Sequence, residues 1–304
     1  MKAIILAGGR GSRLYPLTLV ASKQLQAVYD KPMIYYPLTV LMAAGIRQFC
    51  VITTPEDRPR FQALLGGGRQ WGISIEYRVQ ERPAGIAQAF LIADDFIAGE
   101  AVTLALGDNI FVGGDAIPRA LAEFRDGALI FAYRVTNPRD YGVVEFDADG
   151  RVLSLEEKPR EPRSHYAVPG LYIFDGDVVG IARGLKPSAR GELEITDVNR
   201  AYMDAKRLQV HRLSRGFAWL DAGTSAALQE AAAFIETVER RQGIKFGCPE
   251  EAALQRGFLS LEAFAALVQV MPDCEYRYYL ETVAIEARDH ATVMTRGGPG
   301  ERAG

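Results

Sequence analysis

The apolar and polar positions along this chain fall into short buried runs separated by amphipathic stretches. Residues 3–6 form an apolar run the length of one buried strand, followed at once by Gly8, Gly9 and Gly11. Behind Lys31-Pro32, residues 33–44 put Ile34, Leu38, Leu41 and Met42 on one helical stripe, with Gly45 as the stop. Residues 49–53 predict the next strand, 57–65 a short helix ended by Gly66-Gly67-Gly68, and 73–79 another strand. A helix over 85–96 and a strand over 102–106 complete the series. Strands alternating with helices predict an α/β fold whose parallel sheet is covered on both faces. Ligands of such sheets lie beyond the carboxyl ends of the strands. The glycine loop, Gln80 and Asp108 each follow a predicted strand end, so three candidates fall on one rim.

From Asn137-Pro138 the pattern changes. Residues 141–146, the turn Asp147-Ala148-Asp149-Gly150 and residues 151–155 predict an antiparallel hairpin, whose second strand ends in Glu156-Glu157-Lys158. A further strand is expected over 166–174, a helix from about 190 to about 206, and a long helix over 225–242. Leu228, Ala231, Ala232, Ile235 and Val238 mark the inner stripe of that long helix. Three short helical patterns follow, over 251–256, 261–270 and 274–285. The expected organisation is a core over 1–242, with halves at about 1–136 and 137–242. A helical segment over 243–290 and a loose tail over 291–304 complete it.

With 304 residues the chain bounds one large domain, or a domain with a sub-domain. Its net charge of −3 argues against a general nucleic-acid binder, which carries a basic face. A local basic pocket in a mildly acidic chain suits a small anionic substrate instead. Cys50, Cys248 and Cys274 are too widely spaced for a disulfide framework or a zinc site and read as buried thiols in a reducing compartment. No secretory signal and no apolar stretch of the ~20 residues that span a bilayer is present, so a cytoplasmic protein is expected.

The candidate chemistry begins at Leu6-Ala7-Gly8-Gly9-Arg10-Gly11-Ser12-Arg13-Leu14. Its glycines let the backbone turn sharply and approach a ligand with no Cβ in the way. A turn that opens a helix or forms a nest presents converging N–H groups to an anion. Residues 1–29 carry no acid and four cations, Lys2, Arg10, Arg13 and Lys23, which suits a polyphosphate. Leu14 stands where the dinucleotide fingerprint has its last Gly, and no Gly-Lys-Ser/Thr follows as in a Walker A loop. On spacing alone, a purely structural turn remains the alternative. Gln80 offers both a donor and an acceptor, matching the imide edge of thymine or uracil, or is an exposed loop residue. Asp108 and Asp221 each end an apolar run. Either alone caps a turn equally well; together on one rim they could share a Mg²⁺ ion with phosphates. Lys158 reads as a solvated strand end or as a neutraliser of phosphate.

The run L-A-G-G-R-G-S-R-L-Y-P-L-T over 6–18, followed by Ser22-Lys23, resembles the signature of the sugar-nucleotidyltransferases, or nucleotide-diphospho-sugar pyrophosphorylases. Residues 28–38 are similar to the thymidylyl-transferring branch of that family, and similar blocks recur to about Glu250. Gln80, Pro83 and Gly85-Ile86-Ala87-Gln88-Ala89 resemble the base-reading motif. Ser154-Leu155-Glu156-Glu157-Lys158-Pro159 resembles the sugar-site motif, with Tyr141-Gly142 beside it. The resemblance implies a Rossmann-like mixed, mostly parallel sheet flanked by helices. A β-rich sugar-binding insertion and a small helical C-terminal segment that builds a homotetramer are implied with it. The implied reaction is transfer of a thymidylyl group from dTTP to a sugar 1-phosphate, glucose 1-phosphate foremost, with loss of pyrophosphate. Its product would feed deoxysugar (such as dTDP-rhamnose) biosynthesis. The resemblance also implies roles: Leu6, Gly8, Gly9, Gly11, Ser12 and Arg13 hold the triphosphate, and Lys23 bridges the α-phosphate and the attacking phosphate. Gln80 and Gly85 read the base, and Asp108 and Asp221 hold Mg²⁺. Tyr141, Gly142, Glu157, Lys158, Val168, Arg190, Thr196 and Trp219 line the sugar-phosphate site. Implied partners are these small molecules, with neither nucleic acid nor membrane. UTP, another sugar 1-phosphate and a non-catalytic nucleotide-sugar sensor stay open. A dehydrogenase lacks the acidic residue about twenty positions beyond its glycine loop, since Asp30 lies in a loop.

Overall fold

The sheet is built outward from the strand Lys2–Ala7. Successive side chains leave a strand on opposite faces, so Ala3, Ile5 and Ala7 enter one core and Ile4 and Leu6 the other, all buried. In the computed structural model, which describes residues 1–9 and 11–296, this strand pairs in parallel with Gln48–Thr53 on one side and Val102–Leu106 on the other. Ser74–Val79 adds in parallel beyond Gln48–Thr53. These four strands are the α/β half that the alternation predicts.

Past Val102–Leu106 the sheet becomes mixed. Leu171–Phe174, Ala128–Arg134, Tyr166–Ala167, Gly142–Phe146 and Val152–Glu157 follow in that order, each antiparallel to its neighbour. Leu208–Arg212 lies parallel to Ala128–Arg134 and completes ten strands. On one face the helix Tyr35–Ala43 buries Leu38, Leu41 and Met42, with Ile34 just before it and Phe61 from Arg58–Leu65 in the same core. On the other face Phe90, Val178, Val198 and Tyr202 pack from the helices Gln88–Ile92, Val178–Gly184 and Ile195–Asp204. The long helix falls where the stripe predicts it, Ser225–Gln242, with Ala231 and Ile235 buried.

Four expectations need correction. The helix expected from about 190 begins only at Ile195, because Glu194 before it is extended. The helix expected over 85–96 is two short ones, Gln88–Ile92 and Asp94–Ile97. Gly85 has φ +104°, outside the helical region, and the Ala87 N–H is taken by the Leu193 carbonyl at 3.1 Å. The strand expected over 166–174 breaks into Tyr166–Ala167 and Leu171–Phe174. Pro169 has no N–H to give the ladder, and the Gly170 N–H turns aside to Asn109 Oδ1 at 2.9 Å. The last helix does not stop at 285 but runs Glu275–Arg296, so residues 291–296 of the expected tail are helical. Residues 297–304 of that tail, and Arg10, lie outside the described residues.

The C-terminal segment is stitched to the main core at its start. Pro249–Gln255 places Ala252 and Ala253 in the core of Tyr35–Ala43, and Trp71 Nε1 donates to Glu250 Oε1 at 3.0 Å. Leu261–Gln269 and Glu275–Arg296 then close a smaller cluster around Phe264, Val268 and Leu280. Cys50 and Cys248 are buried, Cys274 is half-buried, and all three are free thiols. Among the described residues no helix is long and apolar enough to cross a membrane.

Candidate active site

After Ala7 the chain turns through Gly8, Gly9 and Gly11 at the carboxyl end of the central strand. A Cβ at Gly8 would run into Gln80 Oε1, and one at Gly11, which sits at φ +56°, would meet Thr18 Cγ2 at 2.7 Å. The loop opens no α-helix. It passes instead through three single 3₁₀ turns, Ser12–Leu14, Leu17–Leu19 and Lys23–Leu25, with Leu14 buried as the anchor. Gly11 is the left-handed residue that starts the first turn and sends Arg13 across the rim. Leu6 is the next-to-last residue of the strand, and its carbonyl accepts the Gly107 N–H at 3.0 Å, which ties the glycine loop to the segment carrying Asp108.

Asp108 and Asp221 meet through a small two-stranded ribbon that stands outside the main sheet. Asn109–Val112 pairs antiparallel with Ala218–Asp221, so Asp221 lies opposite Asn109, and the Ala222 N–H donates to the Asp108 carbonyl at 3.2 Å. Lys23 Nζ donates to Asp108 Oδ2 in a mostly buried ion pair. Arg13 reaches the same point from the other side. A Cβ at Gly223 would lie 3.0 Å from both Arg13 Nη2 and Asp221 Oδ1, so any larger residue there would push on both. Burial and then the charge of Asp108 push the Asp221 carboxyl up to about 6, against the pull of Lys23 and Arg13. Two carboxylates are therefore held together with the second one reluctant to ionise.

An open cleft of about 740 Å³ continues from these aspartates between the two halves of the sheet. Arg13, Asp108, Asp221, Tyr141, Gly142, Glu157, Lys158, Val168, Thr196 and Trp219 all line it. Tyr141 packs edge-on against Trp219, ring centroids 5.0 Å apart. The Val168 N–H donates to the Gly142 carbonyl at 2.8 Å, holding one wall. Glu157 ends its strand and accepts from Thr196 Oγ1 at 2.6 Å, with Lys158 Nζ 3.9 Å away. Lys158 is one of four described non-glycine residues at positive φ, +44°, a conformation that a side chain adopts at a cost and that concentrates at functional sites.

Other expected residues do not line this cleft themselves, although Arg190 Nη2 lies 3.7 Å from Glu157 Oε1 at its edge. Arg190 is held by Glu194 at 2.8 Å, so its guanidinium is already engaged. Gln80 is buried beside Gly8, and its Nε2 donates to Gln88 Oε1 at 2.7 Å and to the Gly85 carbonyl at 3.3 Å. Gly85 has its own structural reason, since any Cβ would collide with the Leu193 backbone. Sequence reasoning missed Asn109, Tyr172 and Asn199, all on the cleft wall. Asn109 is the hub: Oδ1 accepts from Trp219 Nε1 at 2.7 Å and from the Gly170 N–H, while Nδ2 donates to Asp108 Oδ1 at 3.1 Å. Its position directly after Asp108 was the available signal.

The model of a family described as "Nucleotidyl transferase" matches residues 2–238. This chain belongs to the nucleotidyl transferase family. Curated relatives within it include glucose-1-phosphate thymidylyltransferases. The one from Mycolicibacterium smegmatis is 54% identical over 92% of this chain and 98% of its own. That from Xanthomonas campestris is 52% identical over 95% and 99%. A solved structure from Bacillus anthracis assigned to the same enzyme, in complex with sucrose, is 40% identical with a TM-score of 0.73, covering 82% of this chain and 98% of that one. A UDP-glucose pyrophosphorylase at 22% identity and TM-score 0.69, covering 78% of this chain and 98% of that one, shares the fold. As a nucleotidyl transferase the chain is an enzyme, and its cleft is the candidate place for the transfer.

Proposed function

We propose that this chain transfers a thymidylyl group from dTTP to α-D-glucose 1-phosphate, giving dTDP-glucose and pyrophosphate. The observation that carries the proposal is the meeting of Asp108 and Asp221 at one end of a cleft lined by Arg13 and Lys158, with Lys23 on Asp108. The names of relatives 52–54% identical over nearly their whole length support the choice of substrates.

In this reading a sugar-phosphate oxygen bonds to the α-phosphorus of dTTP while the bond to the β-phosphate breaks, with no protein nucleophile. The obstacle is charge. Each pair of unit charges at 4 Å repels by about 1 kcal/mol in water and by about 4 at an effective dielectric near 20. Arg13 and the glycine-loop N–H groups of Gly8, Gly9, Gly11 and Ser12 hold the departing phosphates beside Leu6. Lys23 bridges the α-phosphate and the attacking phosphate, and Lys158 neutralises the sugar phosphate. Holding the two reactants in line supplies about 7–11 kcal/mol of the barrier, and fixed cations stabilise the charge that develops. Gln80 and Gly85 face the thymine. Tyr141, Gly142, Glu157, Val168 and Trp219 shape the sugar side, with Thr196 holding Glu157 in place and Arg190 at its edge.

The site also fits a Mg²⁺ ion. Two carboxylates share one buried point, one of them pushed up toward neutrality, and the Lys23 ammonium already takes a cation's place on Asp108. Asp108 and Asp221 would hold the ion, which when bound neutralises charge on the phosphate oxygens. The same reading takes the enzyme as a homotetramer. Support comes from the apolar side chains of Val270, Tyr278 and Ile285, exposed on the C-terminal segment, and light scattering tests it. The reaction itself is tested by pyrophosphate release from dTTP, UTP and other nucleoside triphosphates crossed with a panel of sugar 1-phosphates. The dTTP and glucose 1-phosphate pair should be fastest, and no release from any pair would overturn the proposal.

A further inference from the structure

One side chain on the cleft wall takes part in nothing described so far. Asn199 lies on the helix Ile195–Asp204, is 1% exposed, and lines the cleft. Its Oδ1 is buried without a partner, and among the described residues its side chain makes no hydrogen bond at all. Native folds rarely leave a buried amide unpaired, because its lost hydration is not repaid. Asn199 stands three positions after Thr196, so the two project from one helix face. Thr196 is already engaged by Glu157. The amide of Asn199 is not.

The surrounding wall says what kind of group would complete it. Burial, with Glu157 and Asp108 adding to it, raises the Tyr172 pKa, so a neutral phenol stands on the same wall as the neutral amide. The cations of the cleft, Arg13 and Lys158, are the groups suited to a phosphate. A neutral wall suits a group that both donates and accepts, which is what an amide pairs with best and what a sugar hydroxyl supplies. We propose that Asn199 is a sugar-reading residue, whose amide hydrogen-bonds one ring hydroxyl of the sugar 1-phosphate beside Glu157 and so helps set which hexose the cleft accepts. This deepens the proposed transferase reading and rests on it.

The test compares kcat/KM for glucose 1-phosphate with that for its 2-, 3-, 4- and 6-deoxy analogues in wild type and Asn199→Ala. The variant should lose roughly 10-fold on glucose 1-phosphate and keep the KM for dTTP. On one deoxy analogue wild type and variant should be equal, since the missing hydroxyl and the missing amide are the same interaction. An equal loss on every analogue, or no loss on any, would overturn the assignment. Melting curves check that Asn199→Ala folds; if it does not, Asn199→Asp, which keeps the shape and loses the donors, is taken through the same comparison with the same criteria. Calorimetric titration of the sugar phosphates repeats the comparison without turnover. A wild type that binds them yet releases no pyrophosphate would sink the reaction while leaving the Asn199 comparison readable.

Discussion

Two groups of charge in this molecule contain the same formal inventory, two cations and two carboxylates, and behave in opposite ways. In the first, Lys31 and Lys245 tie together Asp30 and Glu239 where the end of the long helix meets the turn between Ala27–Val28 and Lys31–Pro32. Both acids are shared between both lysines. Burial alone would raise the Asp30 pKa, but the hydrogen bonds from Lys245 and Lys31 outweigh it and the net shift is downward. In the second, Lys23 is committed to Asp108, and Asp221 makes no ion pair within 4 Å among the described residues. Its pKa goes up, to about 6. The first group pairs each acid with both lysines and ties the end of the long helix to the turn after Ala27–Val28. The second is incomplete within the protein, and in the proposed function that incompleteness is what suits it to receive a cation and a triphosphate.

The comparison is broken most sharply by substitution at its two acids. Asp221→Asn should lower kcat by about 10³-fold, the scale of losing a group aimed at the reacting charge, and Asp108→Asn should do the same. Steady-state turnover in Mg²⁺ that stays within a few-fold of wild type would remove the site from the mechanism. Glu239→Ala acts in the opposite sense. It leaves Lys31, 3% exposed, with Asp30 as its one remaining acid, and should cost about 2 kcal/mol in urea unfolding. Its kcat/KM at temperatures well below melting should stay near wild type. A loss of turnover without a loss of stability would mean the two groups are not separable.

The dependence of stability on pH sharpens the contrast next. The folded Asp221 carboxyl titrates near 6 against 3.8 unfolded, so between these values the native state binds more protons than the unfolded chain. The contribution of Asp221 to stability is therefore full below about 3.8 and is lost as the pH rises through about 6. In metal-free protein the difference between wild type and Asp221→Asn should change by about 3 kcal/mol across that window, with the variant gaining toward neutral pH. Asp30, shifted downward, must show the opposite slope: its contribution holds above 3.8 and disappears as the pH falls through its lower folded value. Parallel slopes for Asp221→Asn and Asp30→Asn would erase the distinction.

The sequence made the first of these strand-tip acids easy to find and the meeting of the two hard. Apolar runs over residues 3–6 and 102–106 mark strands because both of their faces are buried, and the glycines after the first mark the turn. That Asp221 comes back to Asp108 depends on Ala218–Asp221 pairing with Asn109–Val112, a two-stranded ribbon that no periodicity announces. The break at Pro169 was visible as a proline. What it achieves was not, because the partner of the Gly170 N–H is a side chain sixty-one positions away. Polar residues on inward helix faces, Asn199 above all, break the amphipathic pattern by which helices are read. Arg190 shows the converse, a cation that suits a phosphate by type yet is held by Glu194.

The smallest effect tests the same contrast through added Mg²⁺, in wild type and in a variant of each group. A ligand that binds only the folded state stabilises it by RT ln(1 + [L]/Kd), about 1.4 kcal/mol at ten times Kd. Mg²⁺ should raise the melting temperature of wild type at neutral pH, because its attraction to both carboxylates offsets the burial and the repulsion from Asp108 that lift the Asp221 pKa. The rise should be smaller at about pH 5, where Asp221 is largely protonated and a proton must leave before the ion can enter. Glu239→Ala, less stable from the start, should show the same Mg²⁺-induced shift as wild type, since its defect lies in a group with no place for a further cation. Asp221→Asn should lose most of it. A shift that persists undiminished in Asp221→Asn would place the ion elsewhere, and the incomplete cluster would then need another explanation for being incomplete.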